Sequence, residues 1–430
     1  MSETPAELTV VEAHLTPVLV ADPPLLNSTG VHQPYAPRLI LEIEASNGVR
    51  GLGETYGDTR YLRLAEAVVR ALPGHRIHDI HGLRRLVGEV CAGGADGGSD
   101  EAGGLRGGSS SEKPVAAIVA LFEVACLDAW GRTLGVPVHA LLGGRVRDRV
   151  EFSAYLFYRW ARHPRPEDAA DDWGEALDPA GVVAQARRMS EVYGFRSFKL
   201  KGGVFPPAEE IAAIRALAEA FPGHPLRLDP NAAWSVSTSL EVAHALEDVL
   251  EYLEDPTTGT PRMAEVSRGT TLPLATNMCV TTFSEIPEAF KTDAVQVVLT
   301  DHHYWGGLVA TMELAAICRT FGVALSMHSN THLGISLAAM THLGAAVPDL
   351  AYACDTHRPW QSEDVVTGRP VFREGCLDVS DAPGLGVELD REALERLHRR
   401  WLESDIRDRD DVGAMRAVHP DWTRPAWPRW

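Results

Sequence analysis

Seven polar side chains recur along the second half of the chain at a nearly constant interval: Lys201, Asp229, Glu254, Asn277, Asp301, His328 and Asp355, each 23 to 28 residues from the last. Each stands at the end of a short apolar run, in FKLKGG, LRLDPN, LEDP, ATNMCV, TDHH, MHSNTH and CDTH. A lone member has a bland explanation, because Asp229 before Pro230, or Glu254 and Asp255 before Pro256, can simply form a turn. Seven in phase call for a repeating unit that aims one side chain per repeat at a common point.

Asp229, Glu254 and Asn277 come from three successive repeats and offer only oxygen, the donor set that a hard cation such as Mg²⁺ selects and zinc does not. Three ligands leave positions for a substrate carboxylate and hydroxyl, and an amide in place of a third carboxylate keeps the ion electrophilic. The competing reading of Asn277 is a cap on the helix that follows it. Lys199 and Lys201 share one face of a strand, since residues i and i+2 point together. On a solvated surface such a pair means little. Beside a metal, Lys199 is a fixed cation and Lys201 a base. Asp301 and His328, from the next two repeats, make a dyad in which the carboxylate fixes the imidazole tautomer. A carbon held between Lys201 and His328 could lose the proton alpha to a carboxylate to either, with Mg²⁺ and Lys199 meeting the charge of the enediolate. HSNTH also contains H-x-x-x-H, which on a helix would be a zinc pair, but ALSM before it and Gly334 after it place His328 at a strand end. DHH at 301–303 invites a phosphoesterase reading, for which the other acidic motifs are not evident.

The elements that must position these groups begin near residue 150, where eight strand-like runs (VEFSAYLFY, FRSFKLKG, PLRLDPN, LEYLED, LPLATN, AVQVVLTD, ALSMHS, LAYACDT) alternate with helical stretches such as 207–221 and 236–250. Eight right-handed βα units close into a (β/α)₈, TIM-like barrel whose reactive groups collect at the C-terminal strand ends. The rival, a doubly wound open sheet, concentrates its site at one switch point. Upstream, antiparallel strands at 8–20, 37–46 and 50–56, a polar loop LLNSTGVHQPYAP, and helices at 59–72, 80–92 and 114–135 make an α+β capping domain. The expected division is a cap at 1–138, a barrel at 139–375 and a C-terminal segment at 376–430 that returns to the cap. The Gly/Ser-rich insert 92–113 reads as a mobile loop without the strand-to-helix context of a phosphate site. The tail PDWTRPAWPRW reads as solvated surface with packed tryptophans.

At 430 residues, 45% hydrophobic and 23% charged, the chain can bury a barrel core, and no run reaches the roughly 18 apolar residues of a membrane span. Glu3, Glu7 and Glu12 stand where an export signal would carry positive charge, so a cytoplasmic protein is expected. Six dispersed cysteines without C-x-x-C argue against a zinc ribbon or a disulfide framework. A net charge of −19 opposes nucleic acid binding and repels an anionic substrate unless the site reverses the field locally, as two lysines would.

FKLKGG, LRLDPNAAWS, LEDP, ATNMCV, TDHHYWGGL, MHSNTHLGISLAAMTHL and CDTHRPWQ together resemble the enolase superfamily and, within it, the glucarate dehydratase family, over nearly the whole chain. The resemblance implies that Lys199 supports an enolate, Lys201 is one base, the Asp301–His328 dyad is the other, and Asp229, Glu254 and Asn277 hold Mg²⁺. It implies orienting or substrate contacts from Asn231 and Asn330, and contacts to the distal end of a sugar acid from Asn27, His32, Tyr155, His357 and Arg409. The expected partner is a small dicarboxylic sugar acid, with D-glucarate, or L-idarate, dehydrated to a keto-deoxy-glucarate by a homo-oligomeric enzyme. Val115 stands near a threonine position of the family, which leaves the stereoisomer open. The alternatives are a dehydratase or epimerase for another sugar acid such as galactarate, a Schiff-base aldolase using Lys201, and a silent binding or scaffold protein.

Overall fold

Strand β1 (Val10–Ala21) leads through a small hairpin of β2 (Leu26–Asn27) and β3 (Gly30–Val31) into β4 (Tyr35–Ala45) and β5 (Arg50–Tyr56), and β1, β4 and β5 form one antiparallel sheet. The structure is a computed structural model that describes residues 7–92, 112–165, 168 and 171–430, so most of the Gly/Ser-rich insert lies outside the described residues. Helices α1 (Thr59–Ala71), α2 (Ile80–Ala92) and α3 (Lys113–Leu134) cover the sheet. Gly51 and Gly53 let α3 lie directly on β5, because a side chain at either would collide with the carbonyls of Ala125 and Leu121. Among the described residues α3 is the one helix long and apolar enough to cross a membrane, but it is largely buried in the cap.

After a short α4 (Val138–Leu141), eight parallel strands follow: β6 (Arg149–Phe157), β7 (Phe198–Lys201), β8 (Leu226–Asp229), β9 (Leu250–Glu254), β10 (Leu274–Thr276), β11 (Val297–Thr300), β12 (Ala324–Met327) and β13 (Cys354–Thr356). They pair in sequence order, β13 returns to β6, and the seam between β12 and β13 is joined by Ala351 N–H to the Leu325 carbonyl (3.2 Å) and Ser326 Oγ to the Ala353 carbonyl (3.0 Å). The sheet is therefore the expected barrel. Its strands read as unbroken buried runs because helices α5 (Pro179–Tyr193), α6 (Pro207–Ala220), α7 (Val236–Leu246), α8 (Gly259–Gly269), α9 (Ile286–Lys291), α10 (Leu308–Phe321) and α11 (Gly334–Ala346) line the outside. The eighth unit departs from the pattern. A 3₁₀ turn at Arg358–Trp360, with Pro359 in it, replaces the helix after β13.

The chain then adds β14 (Cys376–Asp378) antiparallel to β6 and climbs to the cap. Helix α12 (Arg391–Glu403) lies along β1, where His398 Nδ1 meets the Pro17 carbonyl at 2.7 Å, and α13 (Asp411–Val418) packs against β3. The tail is half solvated, with Trp427 and Trp430 packed on the core, and it also docks: Arg429 and Trp430 N–H both donate to the Ala233 carbonyl (2.7 and 3.2 Å) in the loop after β8.

Candidate active site

Strand β7 ends in two buried lysines that point into a nest of carboxylates. Lys199 Nζ lies 2.8 Å from Asp355 and 3.4 Å from Asp229 and is also paired with Glu254, while Lys201 Nζ lies 2.6 Å from Asp229. Asn277 Nδ2 reaches Glu254 Oε1 at 3.0 Å, so the three proposed ligands from β8, β9 and β10 meet at one place. The Asn231 main-chain N–H steadies Asp229 Oδ1 at 3.0 Å from a left-handed backbone (φ 49°). Burial and the charge of Asp229 hold the Glu254 carboxyl well above its ordinary value. Against the same burial, Lys201 and Lys199 hold Asp229 below its own. Burial lowers and the carboxylates raise Lys199, with a net upward result.

Asp229, Glu254, Asp255 and Asp355 are all fully buried, against Lys199, Lys201 and Arg227, and Arg227 also serves Glu251. Burial and Asp229 push Asp255 up to about 7. Negative charge in surplus, away from water, is what a divalent cation satisfies. An all-oxygen set of Asp229, Glu254 and Asn277 therefore fits Mg²⁺.

On the far side of the mouth Asp301 gathers four imidazoles, with His302 Nδ1 the most distant at 3.9 Å. His303 Nδ1 is closest at 2.8 Å, with His328 Nδ1 and His332 Nε2 each at 3.4 Å. His303 is fixed on its other nitrogen by the Glu54 carbonyl (3.0 Å) and Ser336 Oγ (3.1 Å), so within the Asp301, His303 and His332 trio both nitrogens of His303 are already engaged. Burial lowers the His328 pKa, the Asp301 contact opposes this, and Lys199 and Lys201 add to the lowering, which puts His328 within electrostatic reach of both lysines. Asp301 is held well below the usual carboxylate range, because His303 and His332 outweigh its burial. The loop carrying His328 is pinned from the cap: Glu54 on β5 accepts from Leu333 N–H (2.9 Å), Ser336 N–H (2.8 Å) and Arg38.

The predicted contacts to the distal end form a second group. Asn27 Nδ2 donates to Asp411 Oδ2 at 2.7 Å, Arg409 grips the same carboxylate through Nε and Nη2 (2.9 to 3.1 Å), and His32 Nδ1 lies 3.1 Å from Asp22. A run of rings joins this group to the lysines: His32 to Phe157 (5.8 Å), Phe157 to His357 (5.4 Å), His357 to Tyr155 (4.5 Å), and Lys199 Nζ 4.6 Å from the Tyr155 ring. Asn330 accepts a hydrogen bond from Thr331 Oγ1 (3.4 Å), and among the described residues its side chain is bonded to none of the other predicted site residues.

Several residues at this site carry no usable signal in the sequence. Glu54 is placed by tertiary contacts alone, Arg227 beneath the lysines reads as an ordinary strand residue, and His303 and His332, visible in DHH and H-x-x-x-H, point in the sequence to other chemistry than a shared contact with Asp301. Asp355 was legible as one of the seven in phase, though not as the partner of Lys199. Lys113 is the least expected. The first residue of α3 is 3% exposed, with Nζ 3.5 Å from the Asn277 carbonyl and 4.7 Å from the Tyr304 ring centroid, and the Tyr304 ring lies 5.9 Å from that of His328, nearly parallel.

Residues 181–393 match the family described as enolase C-terminal domain-like, and residues 8–143 match the mandelate racemase / muconate lactonizing enzyme N-terminal domain. The chain is 65% identical to a probable glucarate dehydratase of Streptomyces coelicolor over 428 residues, covering 99% of each. An enolase from Mycobacterium smegmatis solved with tartrate superposes with a TM-score of 0.93 at 53% identity, covering 100% of both chains. An enolase from Pseudomonas fluorescens Pf0-1 solved with magnesium, potassium and tartrate gives 0.95 at 49% identity, covering 99% of this chain and 100% of the other.

Proposed function

The chain belongs to the enolase superfamily and is a hydro-lyase, and from that premise we propose that it is a cytoplasmic, Mg²⁺-dependent acid-sugar dehydratase acting on D-glucarate and L-idarate. The observation that carries the reading is the convergence of Lys199 and Lys201 with three buried carboxylates, within electrostatic reach of the Asp301–His328 dyad. Tartrate in two related structures is itself a hydroxylated dicarboxylate, which supports an aldarate in this site.

Asp229, Glu254 and Asn277 would hold Mg²⁺, which when bound makes the alpha proton of a liganded carboxylate more acidic. Lys201 removes that proton from one face and His328 from the other, so that two epimers converge on one enediolate. Lys199, fixed by Asp355, presents its charge to the growing anion. His328, as an imidazolium stabilised by Asp301, returns a proton to the departing beta-hydroxyl. The enol left behind tautomerises to the keto-deoxy acid. Asn231, Tyr155 and His357 orient the chain of the sugar. Asn27, His32 and Arg409 close over its distal end, where Arg409 shares its charge with Asp411. An imine at Lys201 is less favoured, because the chain's relatives include a probable glucarate dehydratase and the amine stands beside an all-oxygen set that fits Mg²⁺. The test is keto-acid formation by the purified protein across the aldarates with Mg²⁺. Turnover of D-glucarate that a chelator abolishes supports the reading, and turnover of another acid alone would reassign the substrate.

A further inference from the structure

Three lysines are buried, and two of them, Lys199 and Lys201, are explained by the carboxylates they pair with. Lys199 is surrounded by three carboxylates. Lys113, 3% exposed, has a single long hydrogen bond of 3.5 Å to the Asn277 carbonyl and the face of the Tyr304 ring. Asp255, Glu285 and Asp301 act on it only at longer range, and among the described residues no carboxylate forms an ion pair with it. A buried ammonium without a counter-ion is costly. Its place makes matters worse, since it is the first residue of the 22-residue α3, where the helix dipole disfavours a cation. Stability therefore does not account for Lys113.

Its surroundings supply another reason. The Asn277 carbonyl belongs to the loop that carries a proposed metal ligand, and the Tyr304 ring stacks beside the His328 imidazole, so the ammonium stands at the mouth between the metal set and one base. What this position lacks, among the described residues, is an anion in direct contact. We propose that Lys113 is a further substrate-binding residue of the site, whose ammonium takes the carboxylate at the reacting end of the sugar acid and meets its extra negative charge when the alpha proton leaves. The identity of the acid rests on the dehydratase reading, whereas the need for an anion does not.

Tartrate serves as the probe. Binding to the Mg²⁺-loaded protein is measured by calorimetry for the wild type, Lys113→Met and Lys113→Gln, alongside urea unfolding of each without metal. Glutamine can still donate to the Asn277 carbonyl, so it separates a local structural bond from a need for charge. The expected result is a loss of tartrate affinity of about 10- to 100-fold in both variants, the value of a hydrogen bond to a charged group, with unfolding midpoints unchanged or higher. With D-glucarate, kcat/KM should fall by about 10²- to 10³-fold. Wild-type affinity for tartrate in the glutamine variant overturns the assignment, as does a lowered unfolding midpoint with binding intact in the methionine variant. A wild type that binds tartrate but dehydrates no aldarate refutes the dehydratase reading and leaves the Lys113 result to stand on binding alone.

Discussion

Replacing Lys199 by methionine tests the charge balance on which the site is built. The ammonium sits 2.8 Å from Asp355 and 3.4 Å from Asp229, also pairs with Glu254, and all four groups are fully buried. Methionine keeps the length of the side chain and deletes the charge. Removing one partner of a buried ion pair leaves the other unpaired in a medium of low dielectric, at a cost of about 3–5 kcal/mol. The cost must depend on pH. The Glu254 carboxyl is already raised by burial and Asp229, and losing Lys199 raises it further. A carboxyl with a raised folded-state pKa takes up protons more readily folded than unfolded, so stability is retained at low pH and lost as pH rises past its unfolded value. The destabilisation should therefore be largest near pH 8 and smaller near pH 5. Added Mg²⁺ should recover part of it, about 2.7 kcal/mol at a hundredfold excess over its dissociation constant. Urea unfolding followed by tryptophan fluorescence, with chelator and with Mg²⁺, reads all three effects. A chelated variant as stable as the wild type at pH 8 would mean that the carboxylates do not depend on Lys199.

Burial lowers the His328 pKa, so the acid limb of kcat/KM that reports this base should lie below the ordinary value of about 6.5. Asp301→Asn removes the contact that raises His328, which should move that limb further to acid and cost about 10²- to 10⁴-fold in rate, measured as a pH–rate profile. Arg409→Met should raise KM for dicarboxylates and leave the monocarboxylic analogue unaffected, because remote binding energy orders the closed site. Ending the chain after Pro428 removes the two N–H donors to the Ala233 carbonyl beside the left-handed Asn231 and Ala232 (φ 49° and 61°). Hydrogen exchange in residues 231–235 should then quicken while the barrel strands stay protected.

The barrel was legible because each strand is a short buried run closed by a polar residue, and the interval between those residues is set by the length of one βα unit. The missing eighth helix was not. Asp229, Glu254 and Asn277 could be read together since neighbouring strands bring neighbouring repeats together. Asn27 and Asp411, 384 positions apart and 2.7 Å across, obey no such spacing and reached the reading only through a family resemblance. Lys113 had neither. Between a Gly/Ser-rich stretch and Pro114 it looks like a solvated helix end, and only the packing of α3 against the β10 and β11 loops buries it. His332 closes the H-x-x-x-H pattern, where the strand end at His328 argues against a zinc pair. The structure agrees that residues 328–332 are not helical and turns His332 toward Asp301 instead.

The central claim is that Lys201 and His328 attack one carbon from opposite faces. Proton NMR of D-glucarate and of L-idarate in D₂O, with Mg²⁺ and the His328→Asn variant, tests it directly. Dehydration should stop, since the departing hydroxyl has lost its acid, while Lys201 continues to exchange the alpha proton of one epimer with solvent deuterium. The Lys201→Arg variant, whose guanidinium stays protonated, should reverse the preference. Equal exchange of both epimers in either single variant would show one base serving both faces and would contradict the two-sided site.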